Sequence, residues 1–168
     1  MQKIDFTIQL EQASDEPQLA KLSESAFGPG RFTRTAYRIR EGVTPVAALS
    51  LTGWLDGCLV GGVRFTPLNV GGKTGALLLG PLVVDPAFKG QGYGRSLVDS
   101  GLTRAREAGY TLVLLVGDMP YYGRFGFQQV PFGQITLPGP VDPRRLLAFE
   151  LQPGALSRYQ GMVKGENG

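Results

Sequence analysis

Apolar and polar positions alternate from Ile4 to Glu11, with Ile4, Phe6, Ile8 and Leu10 on one side. A period of two predicts a strand with one wet face. The period then lengthens. Leu19, Leu22 and Ala26 recur at helical spacing behind Ser14 or Asp15 as cap, with Pro17 in the first turn. Gly28-Pro29-Gly30 breaks that helix, and a second is predicted over 31–41. There Phe32, Ala36 and Ile39 form one stripe, Arg31, Arg34 and Arg38 another, and Gly42 suits the C-terminal cap.

The middle of the chain is more apolar. "LTGWLDGCLVGGVRF", residues 51–65, predicts a hairpin turning at Asp56-Gly57, with Cys58 as a small packing residue just after the turn. A glycine-rich link at 71–75 leads to "ALLLGPLVV", residues 76–84, which reads as a central strand buried on both faces. Pro81 cannot donate to a ladder, so a bulge is expected at Gly80-Pro81, with pairing lost there on one side. Asp85-Pro86 ends the strand. A helix is predicted from Tyr93 to Ala108, with Leu97, Val98, Gly101, Leu102 and Ala105 as its apolar face and Gly109 as its stop. Thr111 to Val116 is another buried strand, so 76–116 reads as strand, helix, strand. "YYGRFGF", residues 121–127, reads as one helical turn running into a final strand pair. Five of the twelve prolines fall between Pro131 and Pro153, which leaves loops and short strands such as Leu146 to Leu151 at the C-terminal end.

Composition narrows the class. A chain of 168 residues fits one domain, 1–168, and 42% hydrophobic with 18% charged residues suits a soluble globular protein. No run of 18 apolar residues offers a membrane span, and Met1 to Asp5 has no apolar signal core. Cys58 is the only cysteine, so no internal disulfide forms and a cytoplasmic location is expected. The absence of histidine excludes a histidine base or triad and leaves the usual zinc ligand sets unassembled, so no metal site is expected. A net charge of +3 suits an anionic ligand. It is small for a nucleic-acid module, which only the arginine stripe would favour.

The candidate chemistry lies in "PAFKGQGYGRSL", residues 86–97. Gly90, Gly92 and Gly94 link a buried strand to a helix start. The first N–H groups of a helix lack intrahelical partners, and the macrodipole adds positive charge there. Bare glycines let a phosphate approach those donors, with Lys89 and Arg95 flanking it. The same glycines also suit a tight turn that only packs helix on sheet. A dinucleotide fingerprint fails, because position 95 is Arg where a glycine is needed; a P-loop at Gly71-Gly72-Lys73-Thr74 fails for want of a glycine at 67 and of a following helix.

"LGPLVVDPAFKGQGYGRSLVDSGL" resembles the coenzyme A signature of the GNAT N-acetyltransferase superfamily, and "YYGRFGF" resembles its last motif. The family pattern Arg/Gln-x-x-Gly-x-Gly/Ala reads Lys89-Gly90-Gln91-Gly92-Tyr93-Gly94 here, with lysine at the first place. The resemblance implies an α/β (α+β) domain with a mixed central sheet of about 6–7 strands, helices on both faces, and a splayed strand pair forming the cofactor cleft. It implies that main-chain groups of Leu82, Val83 and Val84 meet the pantetheine arm, that Lys89 to Arg95 hold the pyrophosphate, and that the acetyl thioester sits below Pro81. Acetyl-coenzyme A is then the cosubstrate and an unidentified primary amine the acceptor. A main-chain N–H on the bulged strand would serve the oxyanion. Tyr122 occupies the place of the family's acid, and Tyr121 points elsewhere on the turn. The family's frequent strand glutamate has no counterpart in 111–116. Asp118 is the candidate base, acting through water, and Glu24 a more distant one. Phe27, Phe32 and Tyr37 would line either a substrate pocket or the core. A coenzyme A-binding regulatory domain with little transfer is the alternative. Dimerisation would use sheet edges or the C-terminal strands.

Overall fold

The computed structural model describes residues 5–27 and 35–166. Its strands are β1 (Phe6–Leu10), β2 (Leu51–Leu55), β3 (Cys58–Val70), β4 (Lys73–Val84), β5 (Leu112–Val116), β6 (Gln128–Gln129), β7 (Ile135–Thr136), β8 (Leu146–Glu150) and β9 (Gly161–Gly165). Its helices are α1 (Glu16–Phe27), α2 (Thr35–Arg40), α3 (Tyr93–Glu107) and α4 (Met119–Tyr122). Seven strands run side by side in the order β1-β2-β3-β4-β5-β8-β6, while β9 joins β3 and β7. The expected mixed sheet is present: β4 and β5 are parallel, and their other neighbours are antiparallel.

Two hairpins set the register. Asp56 (φ 48°) and Gly57 (φ 76°) turn β2 into β3, as the Asp-Gly signal predicts. The supposed link at 71–75 is a second such turn. Gly71 and Gly72 have φ of 58° and 88°, and β4 starts at Lys73. Gly-Gly is itself a hairpin signal, and the adjacent Lys-Thr disguised it as loop. The Gly71–Thr74 segment therefore builds no phosphate loop.

Alternation in β4 divides the core. Ala76 and Leu78 pack with Ile39 of α2, Leu112 and Leu114 on one face. Leu77 and Leu79 pack with Leu97, Val98 and Leu102 of α3 on the other. Both sides of β4 are buried because helices cover both faces, which is why its sequence lacks polar alternation. The apolar stripe predicted for α3 is the buried one. Helix α1 is preceded by a 3₁₀ turn, Ala13–Asp15. The buried Asp15 carboxylate accepts from Gln12 N–H at 2.8 Å. The predicted second helix is described from Thr35; Arg31, Phe32 and Arg34 lie outside the described residues. Cys58 is exposed at the hairpin and does not pack. Among the described residues no helix is long and apolar enough to cross a membrane.

Candidate active site

The site begins at a break in pairing. β4 and β5 pair only from Ala76↔Leu112 to Leu78↔Leu114. Beyond that point each strand stays with its outer neighbour, Leu82–Val84 with β3 and Leu115–Val116 with β8. The bulge expected from Pro81 is where the strands part. Val63 opposes Leu82 and Phe65 opposes Leu79, so β4 carries an extra residue at Gly80-Pro81. The inner edge of 79–84 is left with main-chain groups that no strand takes up.

The glycine loop lies at the far end of that edge. Gly90 and Gly92 have φ of 84° and 85°, the left-handed region that glycine enters without a Cβ penalty. Nothing lies within 4 Å of where a Cβ would stand at either position. Gly92 is the N-cap of α3, and its carbonyl accepts from Ser96 N–H at 3.1 Å. The N–H groups of Tyr93, Gly94 and Arg95 precede that bond and have no intrahelical acceptor. Lys89, Gln91 and Arg95 are exposed around them. Tyr93 stacks on Phe6 at 4.4 Å, which ties the helix start to β1. Tyr121 also reaches this loop: its hydroxyl is 2.9 Å from the place of a Cβ on Gly94. It points toward the α3 start and not into the cleft, as its place on the turn predicts.

A cleft of about 1120 Å³ opens on the opposite face of the sheet, between the bulge, α1 and α2. Tyr122 enters it from α4, next to Gly117, Asp118 and Leu115. Its ring meets Phe127 at 5.8 Å and Tyr121 at 4.8 Å. Burial, and after it the neighbouring Tyr121 and Asp118, pushes its phenol up to about 12. Among the described residues its hydroxyl is left without a hydrogen bond. Asp118 lies at the rim, largely exposed, with Arg145 Nε 3.4 Å away. β5 carries no carboxylate. Glu24 is exposed on α1 away from the cleft, Arg38 is exposed on α2, and Tyr37 is a cleft residue. The Phe27 side chain lies outside what is described.

The cleft also holds a cluster that local sequence does not suggest. Arg64 of β3 grips Glu11 with two bonds of 2.9 Å and also donates to Glu16 of α1. The partners are about 50 residues apart, so no periodicity links them. The available signal was chemical. An arginine in the apolar run Gly61–Thr66 demands a carboxylate.

The family model for the acetyltransferase (GNAT) family matches residues 16–127. The uncharacterized N-acetyltransferase YhbS of Escherichia coli is 29% identical over 158 residues, 94% of either chain. Another E. coli protein, the uncharacterized N-acetyltransferase YjhQ, is 30% identical over 73% of this chain and 70% of its own. The crystal structure of YhbS in complex with CoA superposes with a TM-score of 0.85 at 28% identity, covering 99% of this chain and 92% of that one. A GNAT family acetyltransferase from Brucella melitensis in complex with acetyl-CoA gives 0.65 at 33% identity, covering 86% and 96%.

Proposed function

Because the chain belongs to the acetyltransferase (GNAT) family, we propose that it moves an acetyl group from acetyl-coenzyme A to a primary amine, by direct attack in a ternary complex. The parting of β4 from β5 above Leu78 and Leu114 carries this reading, since it leaves a strand edge that ends at the open glycine loop. Similar proteins crystallised with CoA and acetyl-CoA support it.

In this reading the α3 start and Lys89–Arg95 hold the pyrophosphate, and Leu82–Val84 pair with the pantetheine arm as an added strand. The thioester then lies beside Gly80-Pro81. The amine must be neutral to attack. Removing a proton from a lysine-like ammonium at pH 7 costs about 4–5 kcal/mol. Water at the rim carries that proton away, with Asp118 as its acceptor. A main-chain N–H of β4 stabilises the oxyanion, and collapse expels the thiolate.

Tyr122 serves that thiolate. A phenol near 12 is a weaker acid than a thiol near 8.5. Full transfer from the resting phenol is uphill by roughly 4–5 kcal/mol. Tyr122 therefore acts as a hydrogen-bond donor to the leaving sulfur, which departs as the thiolate and takes its proton from water. Calorimetry with acetyl-coenzyme A, then a thiol-release screen across amines, tests the proposal. Uptake with release supports it. No uptake overturns it, and uptake without release from any amine assigns the chain to the regulatory alternative.

A further inference from the structure

The bulge that parts the strands offers few main-chain donors. Asp85 N–H donates to the Val60 carbonyl of β3 at 2.7 Å. Ladder bonds alternate along an antiparallel strand, so Val83 also faces β3 and Leu82 turns its N–H into the gap. Pro81, at the bulge itself, has no N–H. An oxyanion formed beside Pro81 therefore meets the Leu82 N–H but none from the residue before it. Oxyanion sites for acyl transfer ordinarily present a pair of donors. A side chain stands at the vacant place. Arg40 Nη1 is 3.1 Å from where a Cβ on Gly80 would be, and Arg40, Gly80, Pro81 and Tyr122 line one cleft.

The backbone that carries this guanidinium is fixed on both sides. Arg40 ends α2, and its neighbour Ile39 is buried in the cluster of Ala76 and Leu78. The Arg40 carbonyl accepts from Val43 N–H at 3.0 Å. β9 closes from beyond, where a Cβ on Gly165 would stand 2.7 Å from the Ile39 carbonyl. Arg64 and Arg145 also line the cleft, but Arg64 is held by Glu11 and Glu16, and Arg145 by Asp118. A guanidinium carries five N–H groups, so contacts that Arg40 makes elsewhere leave it donors for the bulge. We propose that Arg40 is a catalytic residue that completes the oxyanion site, its Nη1 donating to the thioester oxygen beside the Leu82 N–H. The assignment rests on the acetyl-transfer reading above. As the neutral amine nitrogen bonds to the thioester carbon, the carbonyl π pair moves onto oxygen, and Arg40 and Leu82 hold that alkoxide. The pair returns as the C–S bond breaks. Sulfur leaves as the thiolate, and the nitrogen gives its extra proton to water. The guanidinium stays charged throughout.

Carboxymethyl-coenzyme A is the binding probe, because it sets an anionic oxygen beside the place of the thioester oxygen. By calorimetry Arg40→Gln should weaken its binding about tenfold or more, while acetyl-coenzyme A affinity stays within about threefold. The ratio is the readout, because a merely structural loss weakens both together. With the amine that releases thiol fastest, Arg40→Gln should lower kcat by about 10²-fold at nearly unchanged KM for both substrates. Arg40→Ala should regain rate in millimolar guanidinium, which a collapsed cleft does not allow. An undiminished kcat in Arg40→Gln, a loss confined to the KM of the amine, or equal weakening of both coenzyme A ligands overturns the assignment. Acetyl-coenzyme A uptake by the wild-type protein separates this inference from the reading it rests on. Uptake with Arg40→Gln unaltered removes this inference alone, and no uptake removes both. Where uptake occurs but no amine is acetylated, the carboxymethyl-coenzyme A ratio decides: a tenfold fall upholds the site, and an unchanged ratio overturns it.

Discussion

The ring of Tyr122 occupies the space that a side chain on Gly117 would need: a Cβ there would lie 2.5 Å from Tyr122 Cε2 and 3.0 Å from Leu115 Cδ1. Gly117 follows β5 directly, so the bare backbone at the strand's end is what lets the phenol turn into the cleft. Gly117→Ala should displace the ring at an overpacking cost of about 1–3 kcal/mol. The expected result is a kcat lowered about tenfold with acetyl-coenzyme A affinity changed by less than about threefold. Turnover kinetics beside calorimetry check it.

Tyr122 itself gives two separable readouts. If its hydroxyl serves the leaving sulfur, Tyr122→Phe lowers kcat by about 10²-fold or more. Its raised pKa also makes a stability claim. Between the unfolded value near 10 and the folded value near 12, the unfolded chain has lost a proton that the folded chain keeps. The stabilisation is fully present below pH 10 and is lost as pH rises toward 12. Its size is about 2–3 kcal/mol for two units. Urea unfolding at pH 9 and 11.5 should show a steeper decline for wild type than for Tyr122→Phe. The same shift keeps the phenol protonated at neutral pH, so kcat/KM should rise with pH as the acceptor amine deprotonates, with no falling limb from Tyr122 below about pH 10.

Gly92 and Gly109 stand at opposite ends of α3 with similar left-handed conformations, φ 85° and 92°, and open space at both. Alanine costs the backbone about 1–2 kcal/mol at either position. Only Gly92 faces the proposed pyrophosphate. Gly92→Ala should weaken acetyl-coenzyme A binding by about tenfold or more, and Gly109→Ala should leave it within about twofold at equal loss of thermal stability. Equal affinities in the two variants would remove the cradle.

What the chain reveals without coordinates divides by the range of the signal. The unit 76–116 was readable because β4 and β5 are continuous apolar runs, α3 carries a helical stripe, and Gly109 ends it. The bulge was readable because Pro81 cannot serve a ladder on both sides, and the structure places the extra residue there. Tyr122 entered through its motif, and its burial in the cleft came only with the fold. The pairing of Arg64 with Glu11 and Glu16 was illegible, since β1, α1 and β3 meet only in three dimensions. Asp118 was legible as a candidate base, but its partner Arg145 comes from the turn just before β8, far along the chain. β9 sits beside β3 through a pairing with Leu68–Val70 that no local pattern announces.

Gly101 and Phe65 test whether the two faces of the sheet are independent. A Cβ at Gly101 would stand 2.4 Å from Phe65 Cε1, and Phe65 is fully buried under α3. The helix thus lies closer to β3 than any side chain at that position allows. This close seat also fixes where the helix start points. Gly101→Ala should cost about 1–3 kcal/mol, since the ring has no space to retreat into. For a chain of this length that lowers Tm by roughly 2–4 °C per kcal/mol. Phe65→Leu alone should also destabilise, by leaving a cavity. Combined, the smaller residue admits the new methyl group, so the double variant should be more stable than the sum of the single losses predicts, with a coupling of about 1 kcal/mol or more. Acetyl-coenzyme A affinity in the double variant should follow the recovery of α3. Differential scanning calorimetry of the four proteins, with acetyl-coenzyme A titrations of each, measures both. Additive losses would mean that helix and ring do not compete for one space.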